Sequence, residues 1–174
     1  MPWKEIKTNF WVENVTKGRI AETLVNELLR RAGFRVYRFG YEAVLQNLTQ
    51  VEKDILHGEG DIVRQIRSIP DFLIVKDEPF FVEVKFKSRW KESLDKNIWE
   101  DRDILLQLDR ITHFWKAKVV FVTTEMPYFR VSHPPYHDGK KVTFIPLEAD
   151  QDLKIPDNAF AEFNRLVKKY LGGK

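Results

Sequence analysis

"SIPDFLIVKDEPFFVEVKFKS", residues 68 to 88, contains two runs of β-branched and aromatic residues divided by a turn within "VKDEP", and it reads as a pair of strands. An aspartate opens the first run, and a glutamate and a lysine sit inside the second. Side chains alternate along a strand, so Phe81, Glu83 and Lys85 share one face while Val82, Val84 and Phe86 share the other. In the first strand Asp71 goes with Leu73 and Val75, and Phe72 with Ile74. An odd-numbered loop, or a bulge, brings Asp71 opposite Glu83; an even loop sends the two to opposite faces, so the constellation depends on register.

Two ionised carboxylates one cross-strand spacing apart repel, and a half-buried pair is costly unless a cation stands between them. A hard divalent ion is the economical solution. Magnesium takes oxygen ligands, commonly one or two carboxylates with water and substrate phosphate. A lysine beside it suits polarisation of a phosphoryl oxygen or orientation of the attacking water. The competing reading is structural: a Glu83–Lys85 salt bridge on an exposed sheet face, with Asp71 capping a turn after Pro70.

Upstream, "TKGRIAETLVNELLRRAGF" places Ile20, Leu24 and Leu28 on one helical face, and Gly33 ends the helix behind Arg30 and Arg31. "FRVYRFG" alternates as a strand ended by Gly40. Residues 41–67 read as a helical insertion broken by "HGEG". Downstream, Ile104, Leu108, Ile111 and Trp115 keep helical spacing, and "KVVFVTTE" is a buried strand. The stretch "MPYFRVSHPPYHDGKKVTFIPL" is loop-rich, with a short strand expected at Val142 to Ile145. The helix at 157–171 is expected to be capped by Asp157. Mixed α/β with one sheet is the fold class that follows.

The chain has 174 residues, 43% of them hydrophobic, with 13 Phe and no cysteine. One domain with one core is expected, and disulfides and thiolate metal sites are excluded. The charged start "MPWKEIKTNFWVENV" has no continuous apolar run, so neither signal peptide nor membrane anchor is expected, and a cytoplasmic protein is. Charge is mildly basic, 29 Lys and Arg against 26 Asp and Glu, and local clusters at 89–91, 139–141 and 165–170 matter more than that net figure. His57, Glu59 and Asp61 lie in a glycine-rich turn, and His133 and His137 are separated by two prolines, so neither group reads as a metal site. No phosphate-binding glycine motif, dinucleotide fingerprint or GxSxG elbow is present.

Pro70-Asp71, then eleven intervening residues, then Glu83-Val84-Lys85, on two successive strands, resembles the PD-(D/E)-x-K nuclease superfamily. "GRIAETLVNELLRRAGFRV" is similar to the first helix and strand of archaeal Holliday-junction resolvases. The resemblance covers residues 17 to 123 and departs at the 41–67 insertion. It implies a restriction-endonuclease-like mixed β-sheet core in αβββαβ order, flanked by helices, with Mg²⁺-dependent cleavage of DNA in repair, recombination or restriction, and frequent homodimers. By residue, it implies Asp71 and Glu83 as ligands of Mg²⁺, for which Mn²⁺ can substitute, joined by the Val84 carbonyl. Lys85 would activate water, and Glu22 would complete the acidic cluster. Gln107, Lys17, Arg19 and Lys87 are the expected substrate contacts. The alternative is a non-catalytic nucleic-acid-binding or assembly module on a nuclease-like fold, and DNA and RNA are not distinguished.

Overall fold

The hairpin forms around a loop of three residues, Lys76, Asp77 and Glu78. Strand β2 (Phe72–Val75) pairs antiparallel with β3 (Pro79–Lys87), with Phe72 opposite Val82 and Val75 opposite Pro79. Continued one residue outward, that register sets Asp71 opposite Glu83. These elements belong to a computed structural model that describes residues 2–88, 102–137 and 142–172.

Six strands form one open mixed sheet in sequence order, with β1 (Arg35–Arg38), β2, β3, β4 (Lys118–Thr123), β5 (Phe129–Ser132) and β6 (Ile145–Pro146). The β3–β4 pair is parallel and every other pair antiparallel. Parallel neighbours need a crossover, and α5 (Arg102–Phe114) ends four residues before β4 begins. Strand β4 is central: Val119, Val120, Phe121 and Val122 are fully buried, which explains its continuous apolar run.

The alternation along β3 divides the core. Val82 and Val84, with Phe72 and Ile74, pack under α1 (Pro2–Arg31) and α6 (Asp157–Leu171), against Leu24, Leu28, Phe163 and Val167. Phe81 packs on the other side with Val119, Phe121 and the Ile104, Leu108 and Ile111 stripe of α5. Glu83 and Lys85 share that second side.

Gly33 closes α1 at φ 87°, with its N–H donating to Arg30 O and the Phe34 N–H to Leu29 O, the paired bonds of a glycine-capped helix end. The helix begins far earlier than the apolar spacing alone indicates, at Pro2. The 41–67 insertion is three short helices, α2 (Tyr41–Leu45), α3 (Gln50–Ile55) and α4 (Asp61–Arg67), and "HGEG" is the break between the last two. Trp115 pins it to the body: its indole N–H donates to Gln65 O and Ser68 Oγ, each at 3.3 Å, and its ring meets Phe39 and Phe81 edge-on.

Three expectations change. The "PYFRVS" segment is a strand, β5, where loop was expected: Arg130 interrupts its apolar run, yet the guanidinium is buried and donates to Thr123 Oγ1 at 2.6 Å. The strand expected at Val142 to Ile145 reduces to a bridge between Val142 and His137 and the two-residue β6. Asp157 is the first helical residue of α6 rather than its cap; Pro156 occupies the cap position and no side chain caps it. No helix among the described residues is long and apolar enough to cross a membrane. The basic clusters at 89–91 and 139–141 lie outside the described residues.

Candidate functional site

Strands β2 and β3 part at Phe72, and the fork between them is where the acidic residues gather. Beyond the end of the β2 ladder the Val84 N–H has no strand partner, and the Asp71 carboxylate takes its place, with Oδ2 accepting at 2.7 Å. Strand geometry directs the carbonyl of the same residue to the same side, so the Val84 oxygen also faces the fork. The Asp71 carbonyl accepts from the Phe39 and Gly40 N–H groups at 2.8 and 3.2 Å, which fixes the residue from the β1 side.

Glu22, Asp71 and Glu83 line one cavity of about 200 Å³, together with Arg38, Tyr41, Glu42 and Arg67. Glu22 comes from α1, Asp71 from the approach to β2, and Glu83 from mid-β3. Glu83 is buried and pairs with Lys85, Oε1 to Nζ at 2.5 Å. Electrostatics record the crowding. Burial, then the charges of Glu83 and Glu22, push Asp71 up to about 8 from its ordinary 3.8, although the Val84 N–H and Lys85 oppose the rise. Burial also raises Glu22, with Glu42 and Glu83 adding to it and Arg38 partly offsetting it. For Lys85, burial works against the charge, but Glu83, Asp71 and Glu22 outweigh it and hold the ammonium above its usual range.

The donor set suits a hard divalent ion: carboxylate and carbonyl oxygens, with no nitrogen or sulfur. Carboxylates whose proton affinity is raised by one another are what an added cation would relieve. As folded, they line a cavity rather than encircle a point; among the described residues no group of three His, Asp or Glu side chains is arranged to hold a metal ion. Glu83 is turned toward Lys85 instead.

Of the expected substrate contacts, Gln107 lies beside Glu83 and Lys85 on the wall of a neighbouring cavity. Arg19 pairs with Glu42 at 3.3 Å on the rim of the acidic cavity. Lys17 pairs with Glu13 at 2.5 Å along α1, and Lys87 follows Lys85 on the same face of β3; neither lines these two cavities. His133 binds Asp150 at 2.5 Å and His137 binds Asp109 at 2.8 Å, so the two histidines serve separate structural pairs. Asp61 pairs with Arg64 at 3.7 Å at the start of α4.

Arg38, Arg64, Arg67 and Arg110 also line these two cavities, and sequence reading passes them over. They come from β1, α4 and α5, with no shared spacing to reveal them. A weak signal exists in "DIVRQIR", where two arginines three apart share one helical face. No protein-family model, curated protein or solved structure matches the chain.

Proposed function

We propose that the chain is a metal-dependent nuclease that hydrolyses phosphodiester bonds of DNA. One observation carries this reading: the three-residue hairpin loop sets Asp71 opposite Glu83 at an open strand fork, with Lys85 beside Glu83 and Glu22 on the same cavity. Further support is topological. The order α1, β1, β2, β3, α5, β4 agrees with the αβββαβ core of restriction-endonuclease-like nucleases, with α2–α4 inserted and β5, β6 and α6 added.

In this reading Asp71, Glu83 and the Val84 carbonyl would hold Mg²⁺ or Mn²⁺, with Glu22 joining directly or through water. The bound ion would supply charge to offset the developing phosphorane and would lower the pKa of water. The chain's own groups do the rest. Asp71 is held by the Val84 N–H and so meets the substrate already oriented, while Glu83 is held by Lys85. Once Glu83 is engaged elsewhere, Lys85 is released to donate to a non-bridging phosphoryl oxygen or to the attacking water.

A second reading is favoured by the Glu83–Lys85 pair and by the lack of a ready three-residue metal group among the described residues: a non-catalytic nucleic-acid-binding module. The decisive experiment incubates purified protein with labelled linear, flapped, single-stranded and four-way-junction DNAs, and RNAs, in Mg²⁺, Mn²⁺ or EDTA. Cleavage that requires the metal and disappears in Glu83→Ala supports the nuclease. Binding without cleavage under every condition supports the module.

A further inference from the structure

Glu83 is the shared wall of two cavities of opposite character. On the far side from the acidic one lies a smaller cavity of about 120 Å³, lined by Arg64, Arg67, Lys85, Gln107 and Arg110, with Ser68, Ile69 and Ile111. Its construction is regular. Arg64 and Arg67 stand three apart on α4, Gln107 and Arg110 three apart on α5, and each pair shares a helical face; Lys85 rises from β3 between them. Trp115 locks the end of α4 to the end of α5 through Gln65 and Ser68, so the two helical walls are held in place.

Among the described residues the charges do not balance internally. Glu83 is the single acidic residue of the lining among the described residues, and it is already engaged by Lys85. Arg64 has a long, exposed contact to Asp61. Neither Arg67 nor Arg110 forms an ion pair among the described residues. Cations gathered about a small polar cavity repel unless an anion joins them, and guanidinium groups match phosphate oxygens in fork geometry.

We infer that Arg64, Arg67 and Arg110, with Lys85 and Gln107, form a phosphate-binding subsite that holds a nucleic-acid backbone phosphate next to Glu83. The helical insertion is thereby part of the substrate-binding surface. That the phosphate belongs to a polynucleotide rests on the nuclease reading; the anion site itself rests on the lining alone. Arg67 lines both cavities and so marks the passage of the backbone from one to the other.

The test measures fluorescence anisotropy of labelled DNA and RNA duplexes with the full chain in EDTA across a salt series, and cleavage in Mg²⁺ alongside. Arg67→Gln and Arg110→Gln should each weaken binding by about tenfold and lower the slope of log affinity against log salt by about one. Arg35→Gln, an exposed β1 arginine that lines neither cavity, should change neither. Inorganic phosphate should compete with DNA for the wild type and less for Arg67→Gln. Arg67→Lys keeps the charge without the fork and should bind between the two, and thermal melting confirms that each variant is folded. Affinities equal to that of Arg35→Gln overturn the subsite, as does absence of nucleic-acid binding by the wild type. If affinity falls as expected while the wild type cleaves nothing in any metal, the subsite stands and the nuclease reading falls. If the wild type cleaves and the arginine variants bind and cleave normally, the reverse holds. Whichever polymer shows the loss identifies the source of the phosphate.

Discussion

Asp71 does two things with one carboxyl group: it replaces the missing strand partner of the Val84 N–H and it faces Glu83 across the fork. Its proton affinity follows first from burial and then from the second, through the charges of Glu83 and Glu22. Between the ordinary value of 3.8 and the folded value of about 8, the native state holds a proton that the unfolded chain has released. Stability therefore falls as pH rises through that window. Metal-free protein should melt at a lower temperature at pH 8 than at pH 5, and Asp71→Asn, which keeps an acceptor for Val84 but never ionises, should flatten the dependence. Thermal melts in EDTA across pH check this; an unchanged pH profile in the variant would remove Asp71 as the cause. Lys85 separates from the carboxylates in a different assay. Asp71→Ala and Glu83→Ala should lose Ca²⁺ affinity, read by isothermal titration, together with cleavage. Lys85→Ala should lose cleavage while binding the ion as well or better, because a neighbouring ammonium opposes a cation. Cleavage by Lys85→Ala at the wild-type rate would make the lysine a salt-bridge partner and no more.

Among the elements, legibility followed the strength of the local pattern. The β2–β3 pair could be read because alternation, a short polar turn and apolar flanks all agree, and α6 because its apolar face repeats cleanly along residues 157–171. Strand β5 could not, because Arg130 looks like a surface residue in sequence, whereas in the fold it is buried and bonded to Thr123. The start of α1 was hidden because the mostly polar stretch at 13–19 separates Trp3, Ile6 and Phe10 from the stripe that begins at Ile20. The acidic half of the site was visible because a strand pair carries it; the arginine half was not, because α4 and α5 meet only in three dimensions. Trp115 makes that meeting, and its loss has a measurable effect. Trp115→Ala should destabilise by about 1–3 kcal/mol, below the ~3–5 kcal/mol of a fully buried aromatic. It should also raise proteolytic cutting within residues 41–67, read by denaturant titration and limited proteolysis. Cutting confined to other segments would mean that the insertion is held by something else.

At the scale of the molecule, α1 and α6 cover one face of the sheet and α5 the other, and the fork between β2 and β3 opens at the strand ends, where residues of the insertion line the cavities. The central layer is ordinary core: Leu28 is fully buried against the sheet, and Leu28→Ala should cost about 2–5 kcal/mol in chemical denaturation without altering the metal dependence of whatever activity remains. Net charge, at +3, says little about such a protein. What stands out is a local division of sign about Glu83, with Glu22, Glu42 and Asp71 on one cavity and Arg64, Lys85 and Arg110 on the other.

That division has a thermodynamic consequence. On the proposed reading the Glu83–Lys85 contact at 2.5 Å serves as a latch: each residue is occupied by the other until a ligand draws one of them away. A cation that engages Glu83 leaves Lys85 available to an anion, and an anion that engages Lys85 leaves Glu83 available to a cation. If the proposed cation and phosphate both bind, their binding is heterotropic and reciprocal, and each ligand strengthens the other by one and the same factor. Titrating Ca²⁺ with and without a short uncleaved duplex, and the duplex with and without Ca²⁺, should return equal enhancements, about 5–150-fold for couplings of this kind. In Lys85→Ala the latch is gone, and the enhancement should shrink toward unity.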